Sequence, residues 1–315
     1  MSSIGGYFEL ELGRTEEFHP KAIKLNAGRN ALEYILLAKL YKKIYMPYFT
    51  CDVLLEPIRK LHINVEFYFI DEQFEPLFDF NMVKKNECFL YTNYFGLHTR
   101  NVTKLTSKCP NLIIDNAQSF YSKAIEGIDT FYSPRKFFGI PDGAYLYTNQ
   151  KLNKTLEVDT SFERFEHLLR RIDESAEGGY SFFSKNDKLL NNNPIKQMSQ
   201  LTNRLLCSID YYDISQKRKE NFNYLHQALS HHNKIKWQIE KEETPMVYPF
   251  YSEKENLRTT LINNKIYIAQ YWTSVIELVK KNTIEYNYSV NLFHLPIDQR
   301  VTKLELDKII KIIES

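Results

Sequence analysis

A succession of short apolar runs, each closed by turn residues, limits what the first half of this chain can become. The runs are Ile44–Met46, Val65–Ile70, Cys88–Thr92, Asn111–Asp115, Thr130–Ser133 and Ala144–Thr148. Strands this short and this apolar are buried on both faces. With helical stretches between them, they predict a mostly parallel sheet covered by helices. The segment Gly28–Lys43 carries Leu32, Ile35, Leu36 and Leu40 at helical spacing, and a second helix follows the turn at Pro47. Within Val65–Ile70 the alternation puts Val65, Phe67 and Phe69 on one face. In such sheets ligands sit beyond the carboxyl ends of the strands. Asp115 and Ser133 close two runs and Asn93 follows a third, so chemistry is expected there.

After Thr148 the pattern changes. Residues Leu152–Asn193 are polar, with a loose Ala176–Asp187 stretch and the run Asn191-Asn192-Asn193. A long helical pattern runs from Gln197 to His226, then a strand-like Met246–Tyr251, a helical Glu253–Asn264 and a last helix from Lys303. The reading is an α/β chain with a large domain over 1–195 and a long helix plus a small α+β domain over 196–315. The 41 basic and 39 acidic side chains nearly cancel, which argues against nucleic acid or an acidic membrane as partner. No apolar run is long enough to span a bilayer. The opening residues lack the pattern of a signal peptide, so a cytoplasmic location is expected. Cys51, Cys88, Cys109 and Cys207 are scattered, without zinc spacing. The pair His231-His232 reads as a solvated loop, and no metal is expected. Gly5-Gly6-Tyr7 and Gly178-Gly179-Tyr180 read as substrate-side loops or as plain turns.

The chemistry-bearing residues are few. Asp115 ends an apolar strand, where a carboxylate is costly unless it meets a cation. Lys136 lies between two apolar runs just after the next strand end. Gly28 opens a helix, and free N–H groups at a helix start bind phosphate; Arg29 adds charge. A lysine, a carboxylate at depth and a phosphate cradle are the three needs of a pyridoxal phosphate site. Taken singly, each has a plainer reading: Gly28 as a turn, Asp115 as a helix cap, Lys136 as a lysine reaching solvent.

In combination the motifs resemble those of the DegT/DnrJ/EryC1/StrS sugar aminotransferases. Leu112–Phe120 ("LIIDNAQSF") is similar to that family's strand ending in Asp-Ala-Ala-Gln. Phe131–Asn149 is similar to its segment around the cofactor lysine, and "NAGRNAL" to its helix start. "NYFGL", the Met198–Leu225 helix and the Leu292–Ile313 segment follow in family order, so the resemblance covers nearly the whole chain. It implies the three-layer fold type I of pyridoxal-phosphate transferases. It implies Lys136 as the lysine that carries the cofactor, Asp115 on the ring nitrogen and Gln118 on the ring hydroxyl. Gly28, Arg29 and Ser133 would hold the phosphate, with Gly143 permitting the turn that follows. It further implies L-glutamate as amino donor, a nucleotide-linked keto-sugar of surface polysaccharide synthesis as acceptor, and a homodimer with a shared site. The chain departs from the family in four places. It is shorter than typical members, with material missing between Thr148 and Met198. Cys51 stands where an aromatic ring usually stacks on the cofactor, leaving Phe49, Tyr94 or a sulfur contact for that role. Arg29 replaces a Ser or Thr. "NNNPIKQ" replaces the segment that reaches the neighbouring subunit, with Asn193 as the candidate donor. A dehydratase would carry histidine in place of Lys136; a non-catalytic cofactor-binding regulator or degenerate paralogue is the alternative.

Overall fold

The computed structural model describes residues 4–315. Eight strands make one sheet: β1 (Ile23–Leu25), β2 (Lys43–Pro47), β3 (Asn64–Ile70), β4 (Pro76–Leu77), β5 (Glu87–Thr92), β6 (Leu112–Asp115), β7 (Asp129–Tyr132) and β8 (Ala144–Tyr147). Their order is β1-β8-β7-β6-β5-β2-β3-β4. β3, β2, β5, β6 and β7 pair parallel, whereas β8 is antiparallel to β7 and β1, and β4 to β3. The period-two alternation of side chains explains the layering. Along β2 and β5, Ile44, Met46, Cys88 and Leu90 face one apolar layer, packed under α1 (Gly28–Lys39) and α2 (Leu55–Lys60). Tyr45, Phe89 and Tyr91 face the other layer.

That second layer continues without a break into the later residues. It takes in α3 (Thr99–Thr106), α6 (Gln200–Leu206) and α7 (Tyr211–Leu229). It also takes in the hairpin of β9 (Tyr248–Tyr251) with β10 (Leu292–Leu295). Around that hairpin lie α8 (Leu257–Asn263), α9 (Val275–Leu278), α10 (Ile284–Asn291) and α11 (Lys303–Glu314). A helical pair, α4 (Glu166–Asp173) and α5 (Ala176–Leu189), links the two parts. No helix among the described residues is long and apolar enough to cross a membrane.

Val65–Ile70 is strand as expected, with Val65, Phe67 and Phe69 on one face; the buried side chains are Tyr68 and Ile70 of the other face, while Val65 and Phe69 are exposed. Two expectations need correction. The Ala176–Asp187 stretch is helix, not loop: Ser175 accepts from the Gly178 N–H as its cap. Gly178 and Gly179 therefore lie inside α5. A Cβ on Gly179 would sit 3.1 Å from the His167 carbonyl, so the glycine lets α4 and α5 approach. The Gln197–His226 pattern is two helices, broken where Asp210 caps the start of α7.

Candidate active site

The carboxyl ends of β6 and β7 and the start of α1 converge on one rim. The N–H groups in the first turn of α1 face an open end, because the preceding residue, Ala27, offers no side-chain acceptor. A Cβ on Gly28 would lie 3.8 Å from Cβ of Ser133 and 3.9 Å from the Phe131 ring. The helix start thus touches the end of β7. Asn26 holds it there. Its N–H donates to the Lys196 carbonyl and its own carbonyl accepts from Gly143; its side chain donates to Pro194 and accepts from the Lys196 N–H. Gly143 makes that contact at φ 111°, which a side chain would not tolerate.

The Arg29 charge is already committed. Through Nη1 its guanidinium donates to Glu56 at 2.7 Å and to Asn191, while its backbone N–H lies in the open first turn of α1. Arg135, which the sequence did not single out, is nearby. Burial lowers its pKa, and it pairs with Asp187 at 3.3 Å while feeling the charge of Arg29. Asn193 is also occupied within its own chain: its side chain donates to the Leu189 carbonyl and its carbonyl accepts from Asn30.

Asp115 is 4 % exposed. Burial pushes its pKa up to about 6; the Ala117 N–H at 2.8 Å and the Lys136 ammonium pull the other way. Gln118 stands three residues on. Its carbonyl oxygen accepts from the Phe95 N–H at 3.1 Å, while its buried Nε2 has no partner. An enclosed amide donor left unpaired is costly. Lys136 closes the short turn Pro134–Lys136 after β7, and its side chain is exposed.

Two residues from beyond the main sheet complete the rim. Lys136 Nζ lies 5.2 Å from the centre of the Tyr271 ring, and Tyr271 packs on His294 at 4.3 Å. His294 Nδ1 donates to the Ala269 carbonyl, and burial lowers its pKa to about 3, so the ring is neutral. Trp272, which follows Tyr271, has φ 57°, an outlier for a bulky side chain. It stands edge-on to Phe49 at 4.5 Å. Phe49 and Tyr94 are fully enclosed in that aromatic cluster, stacked at 5.7 Å. Cys51 is half-buried and feels the charges of Lys136 and Asp115, with burial raising its pKa.

The rim thus carries a lysine, a deep carboxylate, an unpaired amide and an open helix start. No protein-family model matches this sequence, and no curated protein matches it. Solved structures do. Sugar aminotransferase CalS13 from Micromonospora echinospora superposes with a TM-score of 0.63 at 12% identity, covering 94% of this chain and 87% of that one. A DegT DnrJ EryC1 StrS aminotransferase from Brucella abortus gives 0.62 at 16%, covering 93% and 85%. The fold is that of the DegT/DnrJ/EryC1/StrS aminotransferases. Spr1654 from Streptococcus pneumoniae, a sugar aminotransferase by description and solved in a PMP form, gives 0.59 at 14%, covering 93% and 87%. The sugar-aminotransferase fold accounts for the parallel strands and for the antiparallel hairpin near the end of the chain.

Proposed function

We propose that the chain is a pyridoxal-phosphate-dependent aminotransferase that takes an amino group from L-glutamate and gives it to a nucleotide-linked keto-sugar. The carrying observation is the meeting of Lys136, Asp115 and the open start of α1 at one rim. The residues fit the cofactor on this chain's own evidence. The unpaired Nε2 of Gln118 is a donor awaiting an acceptor. Gly28 and Ser133 are in contact with nothing larger than a methylene between them. Asp115 has no ion-pair partner among the described residues to offset its burial, a place for the protonated ring nitrogen. When bound, the cofactor supplies an electron sink for the bonds at the amine carbon.

The chain's own residues then have separable tasks. Asp115 would hold a proton at the ring nitrogen, Gln118 would donate to the ring hydroxyl, and the α1 N–H groups with the Ser133 hydroxyl would take the phosphate. Lys136 would carry the cofactor and, as a free amine, would serve as base and acid for the proton that the exchange moves. Tyr271 and Cys51 border the place of that exchange. The sugar chemistry and the glutamate donor rest on the family resemblance. A site shared between two subunits would cover Lys136, which the single chain leaves open.

The test is borohydride reduction of the loaded protein followed by peptide mass mapping. The pyridoxyl group is expected on Lys136, and glutamate is expected to convert the absorbance of the bound aldehyde form to that of the amine form. An adduct on another lysine overturns the assignment. A bound cofactor that glutamate leaves unchanged favours the regulator.

A further inference from the structure

The turn after α7 and the end of α11 bring together three side chains that take no part in the Lys136 site. The ligand atoms of His231, His232 and Glu314 all lie within 4.8 Å of one another, and all three residues are exposed. The two imidazole rings are 3.9 Å apart at their centres. The backbone beneath them is fixed. The N–H groups of His232 and Asn233 donate to the Leu229 carbonyl, and the buried Asn233 side chain ties the turn to Pro249 and Tyr251 of β9. Leu229 of α7 and Ile313 of α11 belong to the same apolar layer. The histidine pair is thus carried by a rigid turn, and Glu314 approaches from a helix packed against it.

We propose that His231, His232 and Glu314 bind one divalent ion of the zinc class, fastening the last turn of α11 to the turn after α7. Two imidazoles and one carboxylate are a donor set for zinc, nickel or copper rather than for calcium or magnesium. Bonds of about 2.1 Å in a tetrahedron place neighbouring ligand atoms about 3.4 Å apart. The present spacing closes to that value by rotation of exposed side chains, which no packing resists. Solvent fills the fourth position. The Lys236 ammonium, held on the Ser230 carbonyl at 3.0 Å, sets a positive charge beside the turn and holds the affinity down. The sequence reading of a solvated histidine loop lacked the third ligand, which arrives from the far end of the C-terminal helix.

The experiment is calorimetric titration of the full-length chain, carrying no polyhistidine tag, with zinc chloride, and in parallel with magnesium chloride. One equivalent of zinc is expected to bind and raise the unfolding temperature by mass action, with no response to magnesium. His231→Ala and Glu314→Gln are each expected to weaken zinc binding about tenfold or more and to remove the thermal shift. Both variants should fold and take up pyridoxal phosphate as the parent does. Absence of zinc binding at about 100 µM overturns the site. So does a parent-like affinity in Glu314→Gln, which would leave only the histidine pair as ligand.

Discussion

Asp115 sits where burial works against its charge, and that has a measurable sign. Below about pH 4 its carboxyl is protonated whether the chain is folded or unfolded. Between about pH 4 and 6 the unfolded chain loses the proton while the folded chain keeps it. Stability of the cofactor-free protein therefore falls as pH rises through that window and then levels off. A shift from 3.8 to about 6 corresponds to roughly 3 kcal/mol. Asp115→Asn should lack this fall: urea unfolding at pH 4 and pH 7 should show the variant gaining roughly 2–3 kcal/mol on the parent at the higher pH. The same variant, loaded with cofactor, should react with glutamate about 100-fold more slowly or worse in stopped-flow absorbance. Asp115 and Lys136 were legible because a charge at the end of an apolar run stands out locally. Tyr271, His294 and Asn26 were not. Their contacts join residues far apart in the chain, and nothing adjacent to them in sequence marks those contacts.

At the scale of elements, β2, β3 and β5 to β9 were legible from their composition, whereas the short β1 and β4, the last strand β10 and the helix α5 were not. Its two adjacent glycines lower intrinsic helix propensity, and Tyr180 and Phe183 stay partly exposed, so no clean apolar stripe announces it. Packing against α4 stabilises it instead, and the two glycines contribute differently. Gly179 faces the backbone of α4, 3.1 Å from the His167 carbonyl as Cβ distance. Gly178 faces only the side chain of Glu174, which is exposed and engaged with Arg170 at the surface. Gly179→Val should destabilise the protein by about 1–3 kcal/mol through forced separation of the helices. Gly178→Ala should be neutral or stabilising by up to about 1 kcal/mol. Chemical denaturation of both variants reads the difference; equal losses would mean the helices are not in close contact. The outward face of β3 shows a related effect of local packing. Phe67 stacks on Tyr48 at 5.0 Å, so the outward face of that strand is apolar for local packing of its own.

At the scale of the whole molecule, light scattering at micromolar concentration should give twice the 37.5 kDa chain mass. The exposed Lys136 and the uncovered Phe162, Ile172 and Tyr180 around the α4–α5 pair motivate this, since a closed two-fold pair is the commonest assembly. A monomer that still turns over would remove the shared site. The resemblance made the layered fold legible along nearly the full chain. The committed ion pair of Arg29 with Glu56 was not, because a charge beside a helix start looks the same whether it serves a ligand or a neighbour. The bonds that seat Asn26 also set an order of events in synthesis. The start of α1 is made early, yet its anchors are Gly143, Pro194 and Lys196. On the ribosome, α1 has to wait for most of two hundred residues before its first turn is pinned against β7. A nascent chain cut short before Lys196 has the strands of the main sheet but lacks the Lys196 bonds that seat Asn26. Translation therefore has to pass that lysine before the first turn of α1 is fully pinned.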